Sequence, residues 1–353
     1  MPIPRELLGE GSYGCVFQPI LPCHKKKKVY LIDKKRKVSK IFKEDNKDFQ
    51  LETSIGKFLS MISNSSKYFI FPHESCYINA SKIKKDPAVQ QCFLSSNLKW
   101  IPHVILPFAD YDFYGYLRYY KSKQSRFNYP AQEWILKMEN LLLGIKELIR
   151  HQLVHQDIYM ANVMYNQKEG VFKLIDFGLS HPFDLIFSWN NHRLTYIYHC
   201  YPPEYMFAYF LKNNQLKPSF EEVVSTWKNK YICADPSVGS SDCYHYYNDY
   251  IPDLEVNQQL KDVYHEYLQV GSNWLSHMTK SNVVQTLDLY ALGMLCIDLH
   301  VHLDFSDLTP QQLSDYKNLV YSMMTPNYHK RPGFDSCYEY YLQLKHSIQK
   351  GSS

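Results

Sequence analysis

Residues 154–164 read VHQDIYMANVM, and ten positions on residues 174–180 read LIDFGLS. Each stretch carries carbonyl-bearing polar side chains beside an apolar run: Asp157 and Asn162 in the first, Asp176 in the second. The residues VMYN and FKLIDF are strand-like and flank a turn around KEG. That strand–turn–strand spacing predicts that Asp157, Asn162 and Asp176 come together. An aspartate ending an apolar strand, with Phe and Gly behind it, can present its carboxylate to a divalent cation while the ring packs beneath.

Outward from this pair the pattern is helical. Residues from 130, PAQEWILKMENLLLGIKELIRHQ, open on proline and repeat apolar positions every three or four residues, the clearest helix in the chain. From about 283, VVQTLDLYALGMLCIDLHVHL is apolar on nearly every side and predicts a central buried helix. Before them, residues 1–43 predict short strands around a glycine-rich turn. FQLETSIGKFLSMI predicts one helix near 47–62, and IPHVILPFA (101–109) a buried strand. A strand-rich first third thus precedes a helical remainder, with a hinge expected near 107–113.

A chain of 353 residues can bury one large core or two modest ones, and 45% apolar content fits a globular protein. No run approaches the roughly 18 apolar residues of a membrane span, and MPIPRELLGEGSYG lacks a secretory pattern. Nine cysteines without a C-x-x-C pair indicate neither a zinc ribbon nor a regular disulfide frame. Free thiols, a reducing compartment and a soluble intracellular protein are the expectation. The net charge of +4 divides into +9 up to residue 105 and −5 beyond it. The excess lies largely in HKKKK (24–28) and KKRK (34–37). A solvated hairpin tip is preferred over a nucleic-acid patch there, because the intervening YLID is strand-like. Tyrosine is abundant at 31 residues, with no short repeat behind it.

Residues 7–17, LLGEGSYGCVF, contain G-x-G-x-x-G at Gly9, Gly11 and Gly14, with Glu10 between the first two and Val16 just beyond. Backbone without Cβ can approach a triphosphate, and its N–H groups can donate to phosphate oxygens. A dinucleotide-binding turn would need a helix directly afterwards. Here CVFQPILP continues as strand and meets proline, so the loop is expected to be a lid on a hairpin.

In order, the chain shows the glycine-rich loop, a lysine in KVSKIFK, a glutamate in LETSIG, H-x-D-x-x-x-x-N, D-F-G, P-P-E, D-x-Y-x-x-G and a late Arg before Pro. This series, from about residue 6 to 332, resembles the eukaryotic-type protein kinases. The wording GSYGCVFQPILPC also resembles protein kinases carried by large DNA viruses. The resemblance implies an α+β bilobal fold: a small β-rich lobe at 1–108 and a mainly helical lobe at 109–350, with an insert about 205–282. It implies ATP and Mg2+ as cofactors, a protein substrate carrying Ser or Thr, and no membrane partner. Nucleic acid is not the expected partner despite the basic first third, and the oligomeric state stays open. A viral protein would reside in host cytoplasm or virion.

Carried over residue by residue, Gly9, Glu10, Gly11, Gly14 and Val16 match the nucleotide lid. Lys40 matches the strand lysine that holds the inner phosphates, and Glu52 its helix partner. Leu106 to Ala109, including Phe108, match the adenine hinge, and Asp112 a ribose contact. Asp157 matches the acceptor of the substrate hydroxyl's proton, and Asn162 with Asp176 the metal ligands. Glu204 and Arg331 are expected as a buried ion pair, and Asp288 as an anchor for the catalytic-loop backbone.

The departures from the family pattern are local. Gln156 stands where Arg usually pairs with an activation-loop phosphate, and Tyr159 where Ser/Thr kinases usually carry Lys. Only 12 residues separate Lys40 from Glu52, and Gly56 replaces a packing residue. The 84 residues from Glu204 to Asp288 are far more than the family typically uses. SFEEVVSTWKNKYI and VNQQLKDVYHEYLQ in that interval predict amphipathic helices, read as extra packing ahead of a docking surface. The alternative to an active kinase is a pseudokinase, a nucleotide-binding or scaffolding module.

Overall fold

The structure is a computed structural model that describes residues 4–11, 14–23, 37–43, 47–92, 98–123, 128–196, 198, 200–228 and 249–351. The basic runs within 24–36, expected at a hairpin tip, lie outside the described residues. The chain forms two compact units, Met1–Asp112 with Met164–Leu179, and Phe113–Val163 with Ser180–Ser353.

The first unit is built on a five-stranded antiparallel sheet in the order β1-β2-β3-β5-β4. Its strands are β1 (Glu6–Glu10), β2 (Gly14–Gln18), β3 (Lys37–Phe42), β4 (Glu74–Asn79) and β5 (Trp100–Pro107). Alternation along β3 divides its side chains between two faces. Phe42 packs with Val104 and with Phe49 of helix α1 (Lys47–Met61). Ile41 joins a separate cluster with Cys15, Phe17, Leu21, Ile78 and Ile101. Helix α1 approaches the chain at Pro72 so closely that a Cβ on Gly56 would lie 3.0 Å from both the proline ring and its carbonyl oxygen. Glycine at 56 thus permits this close approach. The segment 164–179 completes the unit: Leu174 donates its N–H to Tyr68 O (3.0 Å) and accepts that of Ile70 (2.9 Å).

The second unit is helical. Its core element is the helix Leu287–Asp298, in which every residue from Leu287 to Ile297 is buried. A Cβ on Gly293 would come within 2.4 Å of Met324 Cγ, so glycine lets this helix settle against Pro310–Met324. The helix Ala131–Arg150 buries Trp134, Ile135, Met138, Leu141, Leu142 and Ile145, the three-and-four spacing read from its sequence. Proline at its start and His151 at its end bound it.

Within the long interval after Glu204, the helices Asp253–Val270 and Trp274–Lys280 pack onto the helix Pro203–Lys212, and Phe220–Thr226 packs onto Asp253–Val270. Tyr267 stacks on Phe207 at 5.0 Å, Trp274 meets both rings edge-on, and the Tyr267 hydroxyl donates to Gln215 O at 3.0 Å. The aromatic faces predicted there are used in internal packing.

The fold is thus α+β, a sheet-based unit and a helical unit, consistent with a bilobal kinase-like architecture. Among the described residues no helix is long and apolar enough to cross a membrane. The cysteine expectation is corrected: Cys15 pairs with Cys92 and Cys23 with Cys76, while Cys200, Cys296 and Cys337 remain free and buried. Both pairs join residues over 50 apart in sequence, with Cα atoms at 6.2 and 5.9 Å, within disulfide range. Sheet topology creates that proximity, and spacing along the chain gives no sign of it.

Candidate active site

In the first unit the site grows from β3. Lys40 is a buried cation on this strand, and its Nζ lies 2.7 Å from Glu52 Oε2 on α1 and 3.0 Å from Asp176 Oδ1. The short spacing from Lys40 to Glu52 is sufficient because α1 begins five residues after β3 ends. Burial alone would push the Lys40 ammonium down, but the carboxylates of Asp176 and Glu52 outweigh it and hold it above its ordinary value. Burial, opposed by Lys40, leaves the Glu52 carboxyl pushed up to about 7. The charged form of the ammonium is therefore favoured, and it is the group both carboxyl groups share.

Asp176 takes a left-handed backbone, φ 60°, at the end of an apolar strand. Such a conformation is uncommon outside glycine and is found where surrounding structure fixes it. Its Oδ1 also accepts the Gly178 N–H at 3.3 Å, and the Phe177 ring behind it packs edge-on against Phe69 at 5.5 Å.

The glycine-rich segment is the β1–β2 hairpin, closed by Gly11 N–H donating to Gly14 O at 2.9 Å. Gly9 pairs with Val16 and has open space where a Cβ would stand, whereas Gly14 runs so close to β3 that a Cβ would be 2.2 Å from Ile41 O. Val16 sits opposite Lys40 in the β2–β3 register. Glu10 accepts a salt bridge from Lys43 at 2.7 Å. Ser12 and Tyr13 lie outside the described residues. Phe108 follows β5, and Asp112 pairs with Met164 across a short ladder.

In the second unit the catalytic-loop candidate is held from beneath. Asp288, at the first turn of the core helix, accepts the N–H of His155 at 2.7 Å and that of Gln156 at 3.1 Å. Burial, partly offset by these bonds, pushes its carboxyl up to about 6. His155 is itself buried, and its Nδ1 lies 3.2 Å from the Asp157 N–H. Asn162 folds back over the loop, its Nδ2 donating to Asp157 O at 2.9 Å and to Asp157 Oδ2 at 2.6 Å. Asp157 and Asn162 are therefore brought together, with the carboxylate fixed by a side-chain amide.

Gln156 has φ 65° and is buried. Its Oε1 accepts from the Tyr205 hydroxyl at 2.9 Å, and its Nε2 lies 3.0 Å from His181 Nδ1. His181 begins the segment after D-F-G, and Tyr205 follows P-P-E. A neutral amide thus ties the stretches that follow D-F-G and P-P-E to the loop. Sequence reading missed His181 and Tyr205, because only the fold brings residues 25 and 49 positions away to Gln156. Glu204 and Arg331 pair at 2.9 Å with both side chains fully buried.

No family model matches the chain. It is similar to "Cyclin-dependent kinase C-3" of Oryza sativa subsp. japonica, 28% identical over 152 residues, 37% of this chain and 46% of that one. "Cyclin-dependent kinase 9" of Danio rerio is 24% identical over 188 residues, 53% of this chain and 44% of the relative. "Probable cyclin-dependent kinase 9" of Caenorhabditis elegans is 44% identical, over 46 residues that make up 13% of this chain and 9% of the relative. The chain spans less than half the length of these relatives. This weak, partial similarity supports the protein kinase superfamily.

Proposed function

We propose that this protein is a protein kinase that transfers the γ-phosphate of ATP to serine or threonine hydroxyls of protein substrates. The observation that carries the reading is the buried Lys40, shared by Glu52 and Asp176 from 12 and 136 positions away. Similarity to kinases of the cyclin-dependent class supports kinase activity in general. P-P-E at 202–204 favours Ser/Thr over Tyr acceptors. The division into a lobe at 1–108 and a lobe at 109–350 belongs to the same proposal.

The residues present suit ATP and Mg2+. Backbone at Gly9 is unobstructed, as a phosphate cradle requires. The metal-ligand candidates Asp176 and Asn162 offer hard oxygen donors, and nothing among the described residues hydrogen-bonds to Asn162 Oδ1. When bound, Mg-ATP supplies the phosphoryl group and charge neutralisation. The chain's own residues then do the rest. Lys40 holds the inner phosphates, and Glu52 positions Lys40. Asp157, oriented by Asn162, takes the proton of the acceptor hydroxyl. Gly9, Glu10, Gly11, Gly14 and Val16 cover the nucleotide, with Phe108 and Asp112 beside its base and ribose. Phosphoryl transfer depends chiefly on such positioning and electrostatics.

Incubating the full chain with γ-labelled Mg-ATP and a generic basic protein should place label on Ser or Thr, and Asp157→Asn should abolish it. Nucleotide binding without transfer by the folded wild type would instead establish a pseudokinase.

A further inference from the structure

On the side of β3 opposite Lys40 lies a second cluster of chemically competent side chains. Cys76 of β4 and His103 of β5 are directly paired across the sheet. Cys23, from the stretch after β2, reaches the same point. His103 Nδ1 lies 3.1 Å from Cys76 Sγ and 3.8 Å from Cys23 Sγ, and the three ligand atoms all fall within 4.8 Å of one another. The imidazole has no exposed surface, and burial holds it neutral, pushed down to about 3. Its second nitrogen, Nε2, is 2.8 Å from Ser39 Oγ, which also accepts the Leu21 N–H at 2.7 Å. Ser39 precedes Lys40 on β3, so strand alternation turns the two side chains to opposite faces.

Two thiols and a neutral imidazole whose far nitrogen is oriented by a hydrogen-bond partner form the donor set of a soft-to-borderline transition metal. We propose that, once the Cys23–Cys76 disulfide is reduced, Cys23, Cys76 and His103 bind one Zn2+ ion. Reduction by a dithiol breaks the sulfur–sulfur bond and delivers two electrons and two protons, and the dithiol closes to its own disulfide. Metal binding then displaces the two thiol protons. The Nδ1 lone pair completes the set, the ring proton resides on Nε2, and Ser39 Oγ accepts it. Zinc–sulfur bonds of about 2.3 Å and zinc–nitrogen bonds of about 2.0 Å place such ligands roughly 3.5–4 Å apart, and the three atoms here already lie within 4.8 Å of one another. Three protein ligands leave a fourth position for water. The disulfide and the metal are mutually exclusive occupants of the same atoms, so binding is gated by redox state. None of this depends on the kinase assignment.

The test uses the full chain, with Zn2+ measured by elemental analysis after gel filtration. The dithiol-reduced protein is expected to retain one equivalent more zinc than its oxidised form, and Cys76→Ser should lose that equivalent. His103→Gln should weaken retention at least tenfold against a chromophoric chelator, while Cys15→Ser/Cys92→Ser should leave it unchanged. As a readout that needs no variant, zinc should protect Cys23 and Cys76 of the reduced wild type from alkylation, mapped by peptide mass spectrometry. Equal zinc in reduced and oxidised protein, or alkylation of both cysteines unaffected by zinc, would overturn the proposal.

Discussion

Asp176 combines a left-handed backbone with the proposed metal-ligand role, and the two can be separated experimentally. Its φ of 60° is one that asparagine adopts as readily as aspartate, so Asp176→Asn keeps the turn while removing the charge. The variant should fold, by circular dichroism, and lose at least roughly a hundredfold in transfer rate, the scale seen when one preorganised electrostatic group is removed. Near-normal turnover in the folded variant would sink the metal-ligand assignment. Tyr159 poses a complementary question, since a lysine there usually neutralises the transferring phosphate. Lys40 is committed to Glu52 and Asp176. Lys173, the next lysine toward D-F-G, donates to Ser66 O at 2.7 Å. Tyr159→Lys should therefore raise kcat threefold or more with little change in KM, because the added charge acts on the transition state. An unchanged or lower kcat in a folded protein would show that another cation already serves.

The loop and the helix beneath it behave as one element. Asp288 is buried, has no cationic partner among the described residues, and holds the loop through the His155 and Gln156 N–H groups. Its carboxyl, pushed up to about 6 from 3.8, keeps its proton in the folded protein over a range where the unfolded chain has released it. The group therefore favours folding most below about pH 4, and that contribution is lost as pH rises through about 6. Relative to Asp288→Asn, which cannot titrate, wild-type stability should fall between pH 4 and 6 by up to ~3 kcal/mol, from two pKa units. Urea midpoints of both proteins across that range measure it, and a constant difference would refute it. Under the proposed function, Gln156 offers no charge to a phosphate on the same element, which predicts independence from phosphorylation. With Tyr205 and His181 already joined through a neutral amide, phosphatase treatment should change activity less than twofold. A tenfold fall, about 1.4 kcal/mol in barrier, would mean that a phosphate on Ser188, Thr195, Tyr196 or Tyr198 finds a cation elsewhere.

At the scale of the molecule, the sequence was legible where period and punctuation are local. The three-and-four spacing of 131–150 and the all-round apolarity of 287–298 correspond to the helices seen, and the stretch after the glycine-rich turn opens as a strand, Gly14–Gln18, rather than a helix. What stayed hidden depends on tertiary proximity: the disulfides, the His181–Gln156–Tyr205 chain, and the reason for Gly56, which is Pro72. The pairing of Glu204 with Arg331, 127 positions apart, was legible only through the family resemblance, and its surroundings show why it matters to the second unit. Arg331 donates to Glu204 Oε1 at 2.9 Å, to Thr286 Oγ1 at 3.1 Å and to Thr325 O at 2.9 Å, so one guanidinium joins three segments. Trp274 adds a fourth by donating to Glu204 O at 3.3 Å. Removing the cation leaves a fully buried carboxylate without its ion-pair partner, which costs about 3–5 kcal/mol, whereas removing both charges together costs less. Arg331→Met should therefore destabilise the second unit by that amount, and Glu204→Leu/Arg331→Met should recover part of it. Tryptophan fluorescence in urea reports on this unit, because four of the five tryptophans, Trp134, Trp189, Trp227 and Trp274, belong to it. A double variant less stable than Arg331→Met alone would show that the pair contributes more through its attraction than its burial costs.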